Sequence, residues 1–539
     1  MRKKSKKYSI ATFIERMRDP ADRKYFAALL GGKMLGVVAC LVVMYCVSFY
    51  LSSAPKAHAQ EAPAAAQASP AAPAAAATAA PAAAAPEAAP AAAPAPPNPP
   101  YVNPINTMWV LVAAFLVFFM QAGFMFLEAG FSRTRESVNV MLEGLVDTSL
   151  CGILFYCWGF AWMFGHGNGF IGWGDGAGHS WYCLQNLPDT YEATGVATLA
   201  IFLFQFAFAD TCSTITSGAM VGRTGFWGDL WYSFGVSGFI YPIFGHWAWG
   251  PDGWLLNIPF WKTPFHDFAG STVVHTIGGM IALAGAIVLG PRLGRKFVRD
   301  GGGPMPGHNM LIASVGAVIL WFGWYGFNPG STLSAMDIQG IARVSVNTTL
   351  ASCAGALSAL FFVYPRFKKW DCGMTLNGLL AGLVAITCPC YWVSPLGSII
   401  IGVVAGVFVV LATDLLEYLR IDDPCGAWPV HGVCGIWGTL SLGLFATGQF
   451  GAPTPTGADN SAAAVVKGLF YGGGTDQLVA QAIGNFSIGI GVFIAAMILM
   501  YAVKLTGTLR VSKDGEQEGI DIHEHGAEAY PELGIGARS

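Results

Sequence analysis

Charge is what this sequence has least of. Asp, Glu, Lys and Arg make up 11% of its 539 residues, about half the share in an average soluble domain. A chain so poor in charge cannot clothe several water-soluble domains, which excludes a soluble multidomain enzyme. The formal net charge is −3, so no basic surplus exists to hold nucleic acid. The twelve cysteines contain no Cys-x-x-Cys pair, and Cys388 and Cys390 stand too close for an easy disulfide. Cys151, Cys157, Cys212, Cys353 and Cys434 fall in apolar runs, where a thiol behaves as a small hydrophobe. No nucleophile–base constellation emerges, no cofactor is implied, and the chain is not read as an enzyme.

What is present instead is apolar and glycine-rich. Hydrophobic residues make up 54% of the chain, and there are 68 glycines. This predicts an all-α polytopic membrane protein, with glycine permitting close helix contact in the bilayer. Residues 1–26 are basic, 34–51 form an apolar run, and Ala57-His58-Ala59 resembles a signal-peptidase site. Segment 1–59 is therefore a signal peptide or an uncleaved anchor, because the run is long enough to span. The Ala/Pro tract 60–100 reads as a disordered tether.

Beyond it the sequence predicts eleven transmembrane helices, over 106–131, 139–164, 195–222, 226–249, 267–290, 308–330, 340–364, 374–391, 396–419, 425–446 and 477–504. Basic residues support this alternation. Arg133, Arg135, Arg223, Arg292, Arg295, Lys296, Arg299, Arg366, Lys368, Lys369 and Arg420 all fall in loops predicted to face the cytoplasm. Only Lys56, Lys262, Arg343 and Lys467 fall outside. Five spans per half make spans 1–5 and 6–10 an inverted repeat, with span 11 as an extra. The expected division is a membrane domain at 101–506 and a cytoplasmic tail at 507–539.

Two stretches in matching spans carry one skeleton: Asp, seven residues, His, three residues, Gly. They run from Asp267 through His275 to Gly279, and from Asp423 through His431 to Gly435. Each Asp suits a helix cap. Each His then lies eight residues in, roughly 12 Å at helical rise, so the two approach the middle of an apolar slab about 30 Å thick from opposite sides. An ionisable group there is expensive and marks function by default. Two imidazoles alone are too few for an ordinary zinc site. Pro429 is expected to kink or delay the start of span 10.

Aromatic residues cluster at the outer ends. Phe204 and Phe208 share a face of span 3, Trp324, Phe327 and Ser331 share a face of span 6, and Trp249 ends span 4. Aromatic faces attract cations, and a serine hydroxyl accepts an N–H hydrogen bond. Such a group can hold a small ammonium-type cation.

In FQFAFADTCSTITSGAM, DFAGSTVVH, GWYGFNPGS, VNTT, DDPCGAWPVHGVCGIWGTL and EGIDIHEHGAEAY, taken in order, the chain resembles the ammonium transporter family (Amt/Mep/Rh) over roughly 105–530. The resemblance implies external recruitment of ammonium, deprotonation, and passage through a hydrophobic pore. Phe208, Trp249 and Ser331 would recruit, with Phe204 flanking and Asp267 supporting. Phe208 and Phe327 would gate, Trp324 would line the pore, and His275 and His431 would be its twin histidines. It also implies a homotrimer in a bacterial inner membrane, mature N-terminus outside and C-terminus cytoplasmic, with a PII-type regulator as a possible partner. An ammonium sensor with little transport, or an Rh-like neutral gas channel, remain alternatives; a sensor is expected to carry a signalling domain after the tail. Two departures stand out: Gly222 replaces a Glu common before Arg223, and Asp210 lies in mid-span, about 200° around the helix from Phe208.

Overall fold

Apolar runs bounded by capping residues become helices wherever the sequence supplies both. The computed structural model describes residues 98–531; the leader or anchor at 1–59, nearly all of the 60–100 tract and the last eight residues lie outside the described residues. The helices are α1 (Val102–Phe131), α2 (Thr134–Phe164), α3 (Thr198–Gly218), α4 (226–249), α5 (Ser271–Leu289), α6 (Met310–Phe327) and α7 (Ile338–Phe367). They continue as α8 (Cys372–Thr387), α9 (Pro395–Leu419), α10 (428–445) and α11 (Asp476–Leu505), and then as two short tail helices, α12 (Lys513–Glu518) and α13 (Ile520–His525). Among the described residues, eight helices are long and apolar enough to cross a membrane: α1, α2, α3, α5, α6 extended to Thr332, α7, α9 and α11. α8 is apolar but shorter.

Several starts follow from one side chain each. Asn309 accepts from the amides of Leu311 and Ile312, both at 3.1 Å. Asp337 accepts from Gly340 at 2.9 Å, Asp371 from Met374 at 2.8 Å, and Ser394 from Gly397 at 3.1 Å with Pro395 next in the first turn. These satisfy amides that have no partner inside the helix. Arg420 ends α9 in the left-handed region at φ 60°.

α1 packs along α6, α7 against both α8 and α9, and α11 against α5 and α10. The helical heads at 271–276 and 428–433 are wide π turns that touch one another; such turns recur at functional sites. Pro429 falls in the first turn of α10, where its missing N–H costs no hydrogen bond. It therefore neither delays the helix nor displaces His431, contrary to the expected kink. Two small hairpins, His166–Asn168 with Ile171–Gly174 and Ala452–Thr454 with Gly457–Asp459, decorate the loops.

Candidate functional site

The two Asp-x7-His-x3-Gly skeletons meet at the molecule's centre, and each residue type in them has a physical job. The carboxylate of Asp267 accepts from the amides of Gly270 and Ser271, both at 3.0 Å, and of Thr272 and Val273 at 2.8 and 2.9 Å. The carboxylate of Asp423 accepts from Gly426 and Ala427, both at 3.0 Å, and from Trp428 at 2.9 Å. Each Asp thus caps from three or more residues ahead of its helix, not from the adjacent position. Gly270 makes this geometry possible, with φ 113° where a side chain would strain.

The glycines explain the closeness. A Cβ on Gly279 would stand 2.2 Å from the Gly432 amide nitrogen, and one on Gly435 would stand 2.5 Å from the Ser271 carbonyl oxygen. Only hydrogen fits at either crossing. This brings the buried His275 and His431 together, Nδ1 to Nδ1 at 3.2 Å, with one nitrogen donating and the other accepting. The second ring nitrogen of His275, Nε2, has no hydrogen-bond partner among the described residues.

Aromatic rings wall this pair on the His275 side. His275 stacks on Trp324 at 5.2 Å and on Phe327 at 5.5 Å between ring centroids. The Trp324 indole N–H donates to Thr387 Oγ1 at 2.9 Å, which fixes its plane. Phe327 stacks on Phe208 with centroids 3.9 Å apart and planes 18° from parallel, and both rings are fully buried. Phe204 tilts onto Phe208 at 4.6 Å, and Trp249 meets its edge at 6.1 Å.

On the Trp249 side of the Phe208–Phe327 stack lies a cavity of about 190 Å³ (the outer cavity), lined by Tyr191, Phe204, Gln205, Trp249, Phe268 and Ser331 among others. The Trp249 indole N–H donates to the Asp267 carbonyl at 2.8 Å, tying the cavity wall to the α5 head. Ser331 does not continue the α6 helix face as expected. The helix stops at Phe327, and Ser331 sits in the Pro329–Thr332 turn, its hydroxyl donating to the Phe327 carbonyl at 2.8 Å. It reaches the cavity nonetheless. On the far side of His431 from that stack lies a cavity of about 20 Å³ (the inner cavity), room for about one water, whose lining includes Phe124, Leu127, Glu128, Val430 and His431.

All nine expected residues therefore gather along one line, from Trp249, Phe204 and Ser331 with Asp267 behind, through Phe208 and Phe327, to Trp324, His275 and His431. Sequence reading missed Gln205, Phe268 and Tyr191 in the cavity wall; the first two lie inside the matched stretches FQFAFADTCSTITSGAM and DFAGSTVVH but were given no role, and Tyr191 lies in no such stretch. It also missed Glu128, although an acid inside an apolar span is a signal in its own right.

Compared with known families, residues 108–530 match the Ammonium Transporter Family. The chain belongs to that family. It is 43% identical to ammonium transporter Amt2 of Archaeoglobus fulgidus over 436 residues, which is 79% of this chain and 88% of the relative. It is also 43% identical to a putative ammonium transporter of Synechocystis, over 78% of this chain and 88% of the relative. Among solved structures, one titled "Sensor Amt Protein" matches with TM-score 0.69 at 36% identity, covering 79% of this chain and 99% of that one. Saccharomyces cerevisiae Mep2 matches with TM-score 0.67 at 28% identity, over 76% of this chain and 88% of that one.

Of the two departures from the family pattern, Gly222 finds a structural answer. A Cβ on Gly222 would fall 2.8 Å from the carboxyl of Glu136, so the Glu136 side chain fills the space a residue there would need. Glu136 pairs with Arg133, which also donates to the Gly222 carbonyl at 3.1 Å. Asp210 is fully buried with Thr148 and Gln121 as polar neighbours, and neither of its carboxyl oxygens has a hydrogen-bond partner among the described residues.

The loop face that carries Arg292 is pinned by Asp422. Arg292 donates to it from the backbone at 3.0 Å and from Nε and Nη2 at 2.9 and 3.0 Å. Burial alone would raise the Asp422 carboxyl, but these bonds and the Arg223 and Arg292 charges hold it well below the usual carboxylate range. The tail docks on the same face. The Asp521 carboxylate accepts from the Val138 and Asn139 amides at 3.0 and 2.8 Å, and the Glu516 carboxylate accepts from the Leu293 amide and Arg510.

Proposed function

We propose that this family member moves ammonium or ammonia across a bacterial inner membrane by recruiting ammonium outside, deprotonating it, and passing ammonia between His275 and His431. In this reading the chain crosses eleven times, with spans 1–5 and 6–10 as inverted repeats and the C-terminus cytoplasmic. Residues 1–59 serve as signal peptide or anchor, 60–100 as tether, 101–506 as the transporting domain and 507–539 as the regulatory tail. The protein acts as a homotrimer, and a PII-type regulator binds the cytoplasmic face.

The observation that carries the reading is the buried Nδ1–Nδ1 contact between two imidazoles, with a cavity on either side. Ammonium enters the outer cavity, where Trp249 and Phe204 offer aromatic faces and Ser331 an acceptor oxygen. A dry passage imposes a desolvation penalty of several kcal/mol on a bare cation. Ammonium escapes it by giving up a proton, and potassium cannot. Neutral ammonia passes when Phe208 and Phe327 swing apart. It then travels along imidazoles that donate at one nitrogen and accept at the other. Asp267 supports the outer site through the backbone it caps and the carbonyl it offers Trp249.

The test is an ammonium pulse on proteoliposomes, reading current and uptake together. The expected result is ammonium-dependent uptake that excludes potassium and changes sharply in His275→Asp and His431→Asp. Intact flux and potassium exclusion in both variants would defeat the relay. The solved relative titled a sensor favours a second reading, in which binding is reported to a partner with little transport. That reading predicts ammonium binding with negligible uptake in the same vesicles. Uptake without charge movement would instead favour a gas channel.

A further inference from the structure

The inner cavity has one carboxyl and one imidazole in its wall, Glu128 and His431. The remaining lining includes Phe124, Leu127, Ile215, Leu380 and Val430. Glu128 comes from the last turns of α1 and is 4% exposed. The charged groups acting on it, Glu143 from α2, Asp229 from α4 and Asp423 ahead of α10, are all acidic, and the Cys425 thiol shares its wall. A buried carboxylate without a cationic partner is costly, and such a group exchanges its charge for a proton.

Its immediate partner accommodates either state. The Ser217 hydroxyl lies 3.0 and 2.9 Å from the two Glu128 oxygens and 2.8 Å from the Thr214 carbonyl oxygen. A hydroxyl has one proton to donate and two lone pairs to accept with. When Glu128 is ionised, Ser217 donates to it. When Glu128 is protonated, it donates to Ser217, which turns its own proton to Thr214. Neither state leaves a buried donor idle.

We propose that Glu128 is the inner proton acceptor of the passage, taking the proton that the imidazole pair carries inward and returning it to ammonia or water in the inner cavity. The inference rests on the transport reading above. The steps balance. An N–H bond of ammonium breaks outside and the proton joins the imidazole pair. A proton leaves His431 and forms an O–H bond on Glu128, through water in a cavity that has room for it. That O–H bond breaks as ammonia takes the proton and leaves as ammonium. One ammonium ion has moved, and nothing is oxidised or reduced.

The experiment compares wild type with Glu128→Gln, Glu128→Asp and Ser217→Ala in proteoliposomes, recording current, uptake and lumenal pH after an ammonium pulse at several pH values. In Glu128→Gln, current is expected to fall about a hundredfold, the scale of a lost proton-transfer group. Uptake should persist and lumenal alkalinisation should grow, because ammonia now arrives without its proton. Glu128→Asp should restore part of the current, a rescue that a purely packing role would not produce. Ser217→Ala leaves the carboxyl in place and should displace the pH profile of the current; it keeps the test open if Glu128→Gln does not fold. Wild-type current in Glu128→Gln, or an unmoved profile in a folded Ser217→Ala, overturns the proposal. Wild-type uptake with no current overturns it too, while leaving transport itself intact. Wild-type vesicles that take up nothing would instead remove the transport reading.

Discussion

At the head of α5 four backbone amides converge on Asp267, while at the head of α10 three converge on Asp423. Both helices then open on a π turn, place a histidine in it, and cross at a glycine. Their surroundings are not alike. His275 is layered against Trp324 and Phe327, whereas His431 has Phe124 at 6.5 Å and an open cavity holding a carboxyl. One backbone device is thus used twice to bring two imidazoles together, and the side chains around it give the two ends different chemistry. The end beside His275 is aromatic, walled by Trp324, Phe327 and Phe208. The end beside His431 has a buried carboxyl, Glu128, in its wall.

The largest effect should come from breaking the crossing that both heads share. Gly279→Leu and Gly435→Leu each place a side chain where backbone already stands, and backbone cannot yield as a flexible side chain can. Overpacking costs about 1–3 kcal/mol or more, and here we expect loss of the detergent-stable folded species on size exclusion for both. A folded, transporting Gly279→Leu protein would show that the close approach is not needed.

A smaller effect should separate the two caps. Removing either carboxylate with Asp→Ala costs up to about 2 kcal/mol of helix-end stability. Asp267→Ala should lower ammonium uptake more than Asp423→Ala, because the Asp267 carboxylate fixes the backbone turn whose main-chain carbonyl at 267 accepts from the Trp249 indole beside the outer cavity. Equal losses in vesicle uptake would mean that the heads are functionally interchangeable.

The smallest effect sharpens the outer end alone. Trp249→Leu removes a cation-attracting face of about 1 kcal/mol, roughly fivefold in binding. Flux should rise as the entrance widens, and inhibition by competing monovalent cations should change by about that factor. An unchanged competition profile would take Trp249 out of recruitment.

The heads of α5 and α10 also show what sequence order carries. The spacing from Asp to His to Gly marked both imidazoles before any contact was known, although each helix begins four or five residues after its Asp, so fewer helical residues separate cap from ring than an eight-residue rise assumes. Pro429 was misleading for a local reason: a proline in the first helical turn lacks only a hydrogen bond that the turn never makes. Ser331 was misread because three-and-four spacing presumes an unbroken helix, and α6 stops at Phe327. Glu128 carried a signal that spacing could not interpret, since its meaning depends on the His431 cavity it faces, contributed by a helix some three hundred positions later in the chain.

Taken alone, the amino-acid order determined that this chain is helical and membrane-embedded, where its apolar runs begin and end, and that it carries a duplicated Asp–His–Gly skeleton. These are properties of local composition and of a fixed rise per residue. Only the tertiary structure decided that the two imidazoles touch, that Phe208 and Phe327 close the outer cavity above them, and that Glu128 shares the inner one. Those facts depend on how closely separate helices approach, which is set by packing at Gly279 and Gly435 and not by any stretch of sequence read alone.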